Sequence, residues 1–143
     1  MYEFLLAPFL GFFAAQGLKF FLKTRHKKLK LQDFFAYSSM PSGHTAIAVS
    51  LVTIILLKEG IASPLFAISA VLASIVITDA VGLRTYLGQH GKTLNILVKD
   101  LKEDDFIKEE SYPKLLEHIG HTPLEALVGG LIGFAVSLLV WLI

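Results

Sequence analysis

Four uncharged apolar stretches, Phe4 to Leu18, Thr45 to Leu57, Gly60 to Thr78 and Ala126 to Ile143, constrain this chain more than any other feature. A helix needs about 20 apolar residues to cross the hydrocarbon core of a bilayer. The third and fourth stretches reach or approach that length unaided. The first is extended by Lys19, which can snorkel, and the second by Ser42 to His44 at its start. Lipid offers no partner for backbone polar groups, so the spans must be helical. The chain therefore reads as all-α: an integral membrane bundle of four transmembrane helices in one domain, 1–143, with spans at about 2–22, 42–57, 60–83 and 123–143. Between the third and fourth lies a polar segment, 84–122, in which Leu94, Leu97, Val98 and Leu101 recur at helical spacing and predict an interfacial helical segment. A hydrophobic content of 54% and a mean hydropathy of +0.63 agree with this and exclude an ordinary soluble domain.

Up-down threading leaves only Lys58, of 13 Lys and Arg, on the far side of the bilayer. The loop after span one carries Lys23, Arg25, Lys27, Lys28 and Lys30, which by the positive-inside rule is cytoplasmic. Both termini then face outward, and the polar site faces the cytoplasm from the cell membrane. A basic run beside a span reads as a topology signal or an anionic-lipid contact rather than a nucleic-acid site. The first stretch follows Glu3 and lacks a small-residue cleavage site, so it reads as a retained span. The absence of Cys excludes disulfide, thiol and zinc-thiolate chemistry. Glu103, Asp104 and Asp105, with Glu109 and Glu110, lack the spacing of a calcium loop and read as solvated surface, so neither a metal nor another cofactor is expected.

The strongest chemical motif is Pro41-Ser42-Gly43-His44. At a helix start the free N–H groups and the positive dipole end favour an anion, and Gly43 lets a phosphate approach the backbone. Ser42 can donate a hydrogen bond, and His44 can move a proton near neutral pH. The bland alternative is a capped helix with an incidental histidine. Pro41 is expected in the first helical turn, where its missing N–H costs little. Threading brings Lys19, this motif, Arg84 and His121 to one membrane face. The planar fork of Arg84 suits two phosphate oxygens. Thr122-Pro123-Leu124-Glu125 predicts a capping box at the start of span four, and Gly129-x-x-x-Gly133 permits close helix packing. Asp79, in an apolar span, needs a partner, and Arg84 or Lys19 is the simplest one.

These residues resemble the type-2 phosphatidic acid phosphatase superfamily, whose motifs are K-x6-R-P, P-S-G-H and S-R-x5-H-x3-D. The second stands intact as Pro41-Ser42-Gly43-His44. Lys19 is similar to the lysine of the first, but the Arg-Pro pair is absent: Arg25 is one position short and His26 occupies the expected place. Leu83-Arg84 resembles the Ser-Arg half of the third motif, and His121 to Glu125 its His-x3-Asp half. Residues 85–120 separate the two halves, and Glu125 stands for Asp. This layout resembles the divergent, haloperoxidase-related membrane branch. His90 also lies six residues after Arg84, but Leu94 rather than an acid follows it.

The resemblance implies that His121 attacks phosphorus to form a phospho-histidine, that Glu125 orients its ring, and that His44 protonates the leaving group. It further implies that Lys19, Ser42, Gly43 and Arg84 hold the phosphate without a metal; Asp79, which lies outside the motifs, reads as a support for the site from its position alone. The implied activity is hydrolysis of a lipid phosphate, or another phosphomonoester or diphosphate, at the membrane surface. Two other readings stay open: a non-catalytic membrane protein binding anionic lipid head groups through the same pocket, and a small transporter component with Asp79 as its proton-linked residue. The expected partners are a lipid phosphate and the membrane, without nucleic acid, and so thin a bundle leaves room for a homodimer.

Overall fold

The computed structural model describes residues 2–24, 40–104, 106 and 112–143. Arg25, His26, Lys27, Lys28 and Lys30 of the basic run, and Asp105, Glu109 and Glu110 of the acidic stretch, lie outside the described residues. Every regular element among the described residues is helical: α1 (Glu3–Thr24), α2 (Gly43–Glu59), α3 (Pro64–Thr78), α4 (Arg84–Glu103) and α5 (Pro123–Leu142). One π-helical turn, Asp79–Leu83, joins α3 to α4.

Among the described residues, three stretches are long and apolar enough to cross a membrane: Glu3–Leu22, the continuous Pro64–Glu103, and Pro123–Leu142. With 17 residues, α2 rises about 25 Å, somewhat less than a hydrocarbon core of about 30 Å. Large apolar side chains are exposed on α1 (Leu5, Phe9, Phe13), α3 (Ile68, Leu72, Ile75) and α5 (Leu127, Leu131, Phe134). Exposed apolar surface on this scale suits lipid rather than water.

Two local features differ from the sequence reading. Ser42 is the N-cap of α2, its Oγ accepting from the N–H of Thr45. Pro41 therefore sits one residue outside the helix, after a cis Met40–Pro41 bond, and not in its first turn. The sequence reading ends the third helix at Leu83, whereas the helix runs on to Glu103. The N–H of Arg84 bonds the carbonyl of Asp79 across a widened turn, and the helical ladder then resumes without a break.

Packing centres on α2, which touches α1, α3 and α5. Gly60, at φ 81°, makes the sharp turn from α2 towards α3, a backbone conformation that glycine adopts without a Cβ penalty. At the same end Lys58 pairs with Glu3 at 2.8 Å, tying α2 to α1. There the core is Ala7, Ile54, Ile55 and Val140, flanked by Phe4, Leu51, Phe66 and Val136.

Towards the opposite end, small residues replace bulky ones along the α2–α5 seam. Gly129 and Gly133 of α5 lie against the carbonyls of Ser42 and Ala46. One turn further, the Ser137 hydroxyl donates to the Ser50 carbonyl at 2.9 Å, and the Ser50 hydroxyl donates to the Gly133 carbonyl at 2.8 Å. Two four-residue repeats thus interlock, Ser42-Ala46-Ser50 against Gly129-Gly133-Ser137. In lipid, where burying apolar surface drives no association between helices, such close contact and hydroxyl bridging hold helices together.

Gly129 and Gly130 give a contrast. A Cβ at Gly129 would collide with the Ser42 carbonyl, whereas one at Gly130 would meet only Val49 and Thr45 side chains at 3.5 and 3.6 Å. Gly129→Ala should destabilise the protein by about 1–3 kcal/mol, and Gly130→Ala should be neutral or stabilising through helix propensity. Melting of the two variants in one detergent checks this, and equal shifts would contradict the seam.

Candidate functional site

The seam positions the site because it presses the start of α5 onto the start of α2. The Ser42 N–H donates to the Glu125 carbonyl at 3.0 Å, so the two helix N-termini are joined backbone to backbone. Ser42 is fully buried, and its Oγ also accepts from the Thr45 hydroxyl at 3.1 Å. Gly43 is packed beneath Phe12 and Gln16 of α1: a Cβ there would stand 3.2 Å from the Phe12 ring and 3.6 Å from the Gln16 amide carbon.

The π-turn places the other residues. Within a regular α-helix, residues five apart point to different faces, and three or four apart to the same one. The widened turn lets Asp79 and Arg84 meet, with Arg84 Nε donating to Asp79 Oδ2 at 2.7 Å. Asp79 thus has Arg84 as a partner. Only Nε is used in this pair, so the terminal N–H groups of the guanidinium can still serve a ligand. The same turn supplies an anchor. The Arg84 N–H, which would bond the Ala80 carbonyl in a regular α-helix, reaches Asp79 instead, and the Ala80 carbonyl accepts from the His121 N–H at 2.9 Å.

His121 is buried at 4% exposure, immediately before the Thr122 cap. The capping box is present: Thr122 Oγ1 accepts from the Glu125 N–H at 3.3 Å, and Glu125 Oε2 accepts from the Thr122 N–H at 2.9 Å. That same Oε2 lies 3.3 Å from His121 Nδ1. Capping and ring orientation are therefore not alternatives for Glu125, because one oxygen serves both. A carboxylate only accepts, so Nδ1 carries the proton and Nε2 bears the lone pair. Burial pushes the His121 imidazole below the ordinary histidine value; the hydrogen bond and charge of Glu125 oppose the shift, while Lys19 and Arg84 reinforce it.

His44, half-buried on the first turn of α2, stands with its ring centroid 6.2 Å from that of His121. Arg84, His121, Lys19 and Asp79 all act on it electrostatically. Lys19 is 3% exposed and so is turned into the bundle rather than snorkelling outward. Lys19, Ser42, Gly43, His44, Asp79, Arg84, His121 and Glu125 thus gather at one end of the bundle. His90 is exposed on α4.

Two cavities flank this cluster. An apolar one of about 640 Å³ opens between α2, α3 and α5, starting at Thr45 and Pro123 and running past Val81 and Leu127 to Phe134. A more polar one of about 570 Å³ lies between α4 and residues 117–125, with Gln89, Lys92 and His118 on its wall and His121 and Glu125 within it. Sequence reasoning missed Gln16, which is 7% exposed and has an Oε1 without a hydrogen-bond partner among the described residues. Its spacing three residues before Lys19 on one helix face is the only signal that could have found it. Among the described residues, no group of three or more His, Asp or Glu is arranged to hold a metal ion.

A membrane protein of Bacillus subtilis (strain 168), named uncharacterized membrane protein YuiD, is 38% identical over 120 residues, covering 78% of this chain and 76% of that protein. No solved structure matches the chain. The profile of the Divergent PAP2 family matches residues 2–136 and so spans every residue of the site, and the chain belongs to that family.

Proposed function

We propose that the protein is a phosphohydrolase acting on a lipid phosphate at the membrane surface through a phospho-histidine. The observation that carries this reading is the pairing of His121, oriented through Nδ1 by Glu125, with His44 6.2 Å away, ring to ring, at the mouth of a helix N-terminus. Nε2 of His121 attacks phosphorus, forming the N–P bond as the bond to the leaving oxygen breaks, and His44 donates its proton to that oxygen. Water then cleaves the N–P bond, giving its proton to His44 and releasing inorganic phosphate. Arg84, Lys19 and the N–H groups at the start of α2 hold the phosphate oxygens. The apolar cavity between α2, α3 and α5 begins beside this cluster and suits the hydrocarbon tail of the substrate.

In this reading α1, α2, the α3 segment and α5 cross the cell membrane as four spans. The polar end faces the cytoplasm, and α4 with residues 112–121 lies at or beyond the interface. The test is phosphate release from phosphatidic acid and isoprenyl phosphates by the purified protein, with a chelator present. Release is the expected result, and head-group binding without release would favour the non-catalytic reading. Because burial holds His121 below 6.5, it stays neutral and nucleophilic into mildly acidic solution. The low-pH limb of kcat/KM should therefore have its midpoint below 6.5. Glu125→Gln, which removes a group that raises this value, should move the limb lower still while slowing turnover.

A further inference from the structure

His121 stands at the end of residues 112–120, a stretch without regular structure, yet its place must hold to a fraction of an ångström if it is to attack in line. The Ala80 carbonyl and the Glu125 carboxylate hold it from within the bundle. From outside, a side chain of α4 holds the stretch that leads to it. The Asn95 amide of α4 donates to the Leu115 carbonyl at 2.9 Å and to Glu117 Oε1 at 2.9 Å, while its Oδ1 accepts from the Leu115 N–H at 3.0 Å. A single amide thus satisfies both backbone groups of one residue, as a neighbouring strand would.

The face of α4 beneath this clamp is shaped to receive the chain. Cβ atoms at Gly88 and Gly91 would press on the carbonyls of Glu117 and Leu116, and one at Gly120 would strike Thr85. Residues 115–120 are therefore strapped along α4 by backbone contact at Gly91 and Gly88, with Asn95 as the polar clasp. No signal of this appears in the sequence near His121, because the clasp lies 26 residues upstream on another helix.

We propose that Asn95 is a positioning residue for His121, acting through the 115–120 strap. This inference rests on the reading of His121 as nucleophile for its kinetic consequence, but not for its structural one. Groups that act on His121 are Lys19 from α1, His44 from α2, Arg84 from α4 and Glu125 from α5, while Asp79 acts on the neighbouring His44. Lys19 and Ser42 lie on other elements, and Arg84 stands at the start of α4, about three turns before Asn95, so phosphate binding should survive loss of the clasp.

The experiment compares Asn95→Ala with the double variant Asn95→Asp/Glu117→Gln. In the double variant the donor and acceptor of the 95–117 bond are exchanged and the carboxylate introduced at position 95 still accepts from the Leu115 N–H, but it cannot donate to the Leu115 carbonyl, so two of the three clasp bonds remain. Asn95→Ala should lower kcat about tenfold with KM within about twofold. The NMR titration midpoint of His121 should rise towards the ordinary histidine value as the ring loses its buried place. The double variant should recover part of both changes, because it keeps two of the three clasp bonds where Asn95→Ala keeps none. Unaltered kcat, an unmoved His121 midpoint, or equal damage in the single and double variants would overturn the proposal. If the wild-type protein released no phosphate while Asn95→Ala still moved the His121 midpoint, the phosphatase reading would fail and the strap would stand.

Discussion

His121→Ala should abolish phosphate release, by about 10³-fold or more in kcat, and leave a folded, inserted protein. The variant keeps the backbone N–H that bonds Ala80 and leaves the Thr122–Glu125 capping box intact, so the start of α5 remains anchored. His44→Ala differs in kind. Without its proton donor the reaction should slow by about 10²–10⁴-fold for a poor leaving group and much less for a good one, which needs little protonation to depart. Water attack on the intermediate also uses His44, so phospho-enzyme should accumulate in His44→Ala given an activated substrate. It should be absent from His121→Ala. Labelled phosphate retained on the protein in an acid-labile form distinguishes the two variants. Full activity in His121→Ala would remove the mechanism.

Arg84→Lys should lower kcat/KM by about 100-fold, the loss of one or two charge-assisted bonds worth about 1.5–3 kcal/mol each. The replacement keeps the charge but loses both the Nε bond to Asp79 and the fork that spans two oxygens. Asp79→Asn should fall between this variant and the wild type, because it frees the guanidinium to wander without removing it. Lys99→Ala is the control. Lys99 and Glu103 form an exposed pair one turn apart on α4, 3.4 Å between charged atoms, and losing it should leave phosphate release nearly unchanged. Similar losses in Arg84→Lys and Lys99→Ala would contradict a specific phosphate cradle.

Much of the architecture is legible along the chain because lipid imposes a one-dimensional rule. A segment that is apolar for about 20 residues must satisfy its own backbone and so must be a helix. The same rule orders the helix ends, which is why threading alone groups Lys19, Ser42, His44, Arg84 and His121 at one face. Local chemistry was equally readable: Thr122 and Glu125 form their capping box through contacts only three residues apart. Asp79 is marked by the cost of an acid in an apolar helix, but its pairing with Arg84, five residues on, depends on the π-turn.

What pattern could not decide depends on contacts between distant residues. The interlock of Ser42, Ala46 and Ser50 with Gly129, Gly133 and Ser137 requires two helices to face each other in register, and a four-residue spacing of small residues on each names neither the partner nor the register. The second role of Glu125 Oε2 required the His121 ring to turn back over the cap. The strap on Asn95 required a stretch with no periodicity of its own to lie along α4. Sequence by itself determined that the apolar segments are helices and which of their ends carry charge, because both follow from local hydropathy and solvent, although not that the third helix runs on unbroken to Glu103. Only the tertiary structure decided which oxygen holds which imidazole, because a hydrogen bond depends on positions set by the packing of the whole bundle.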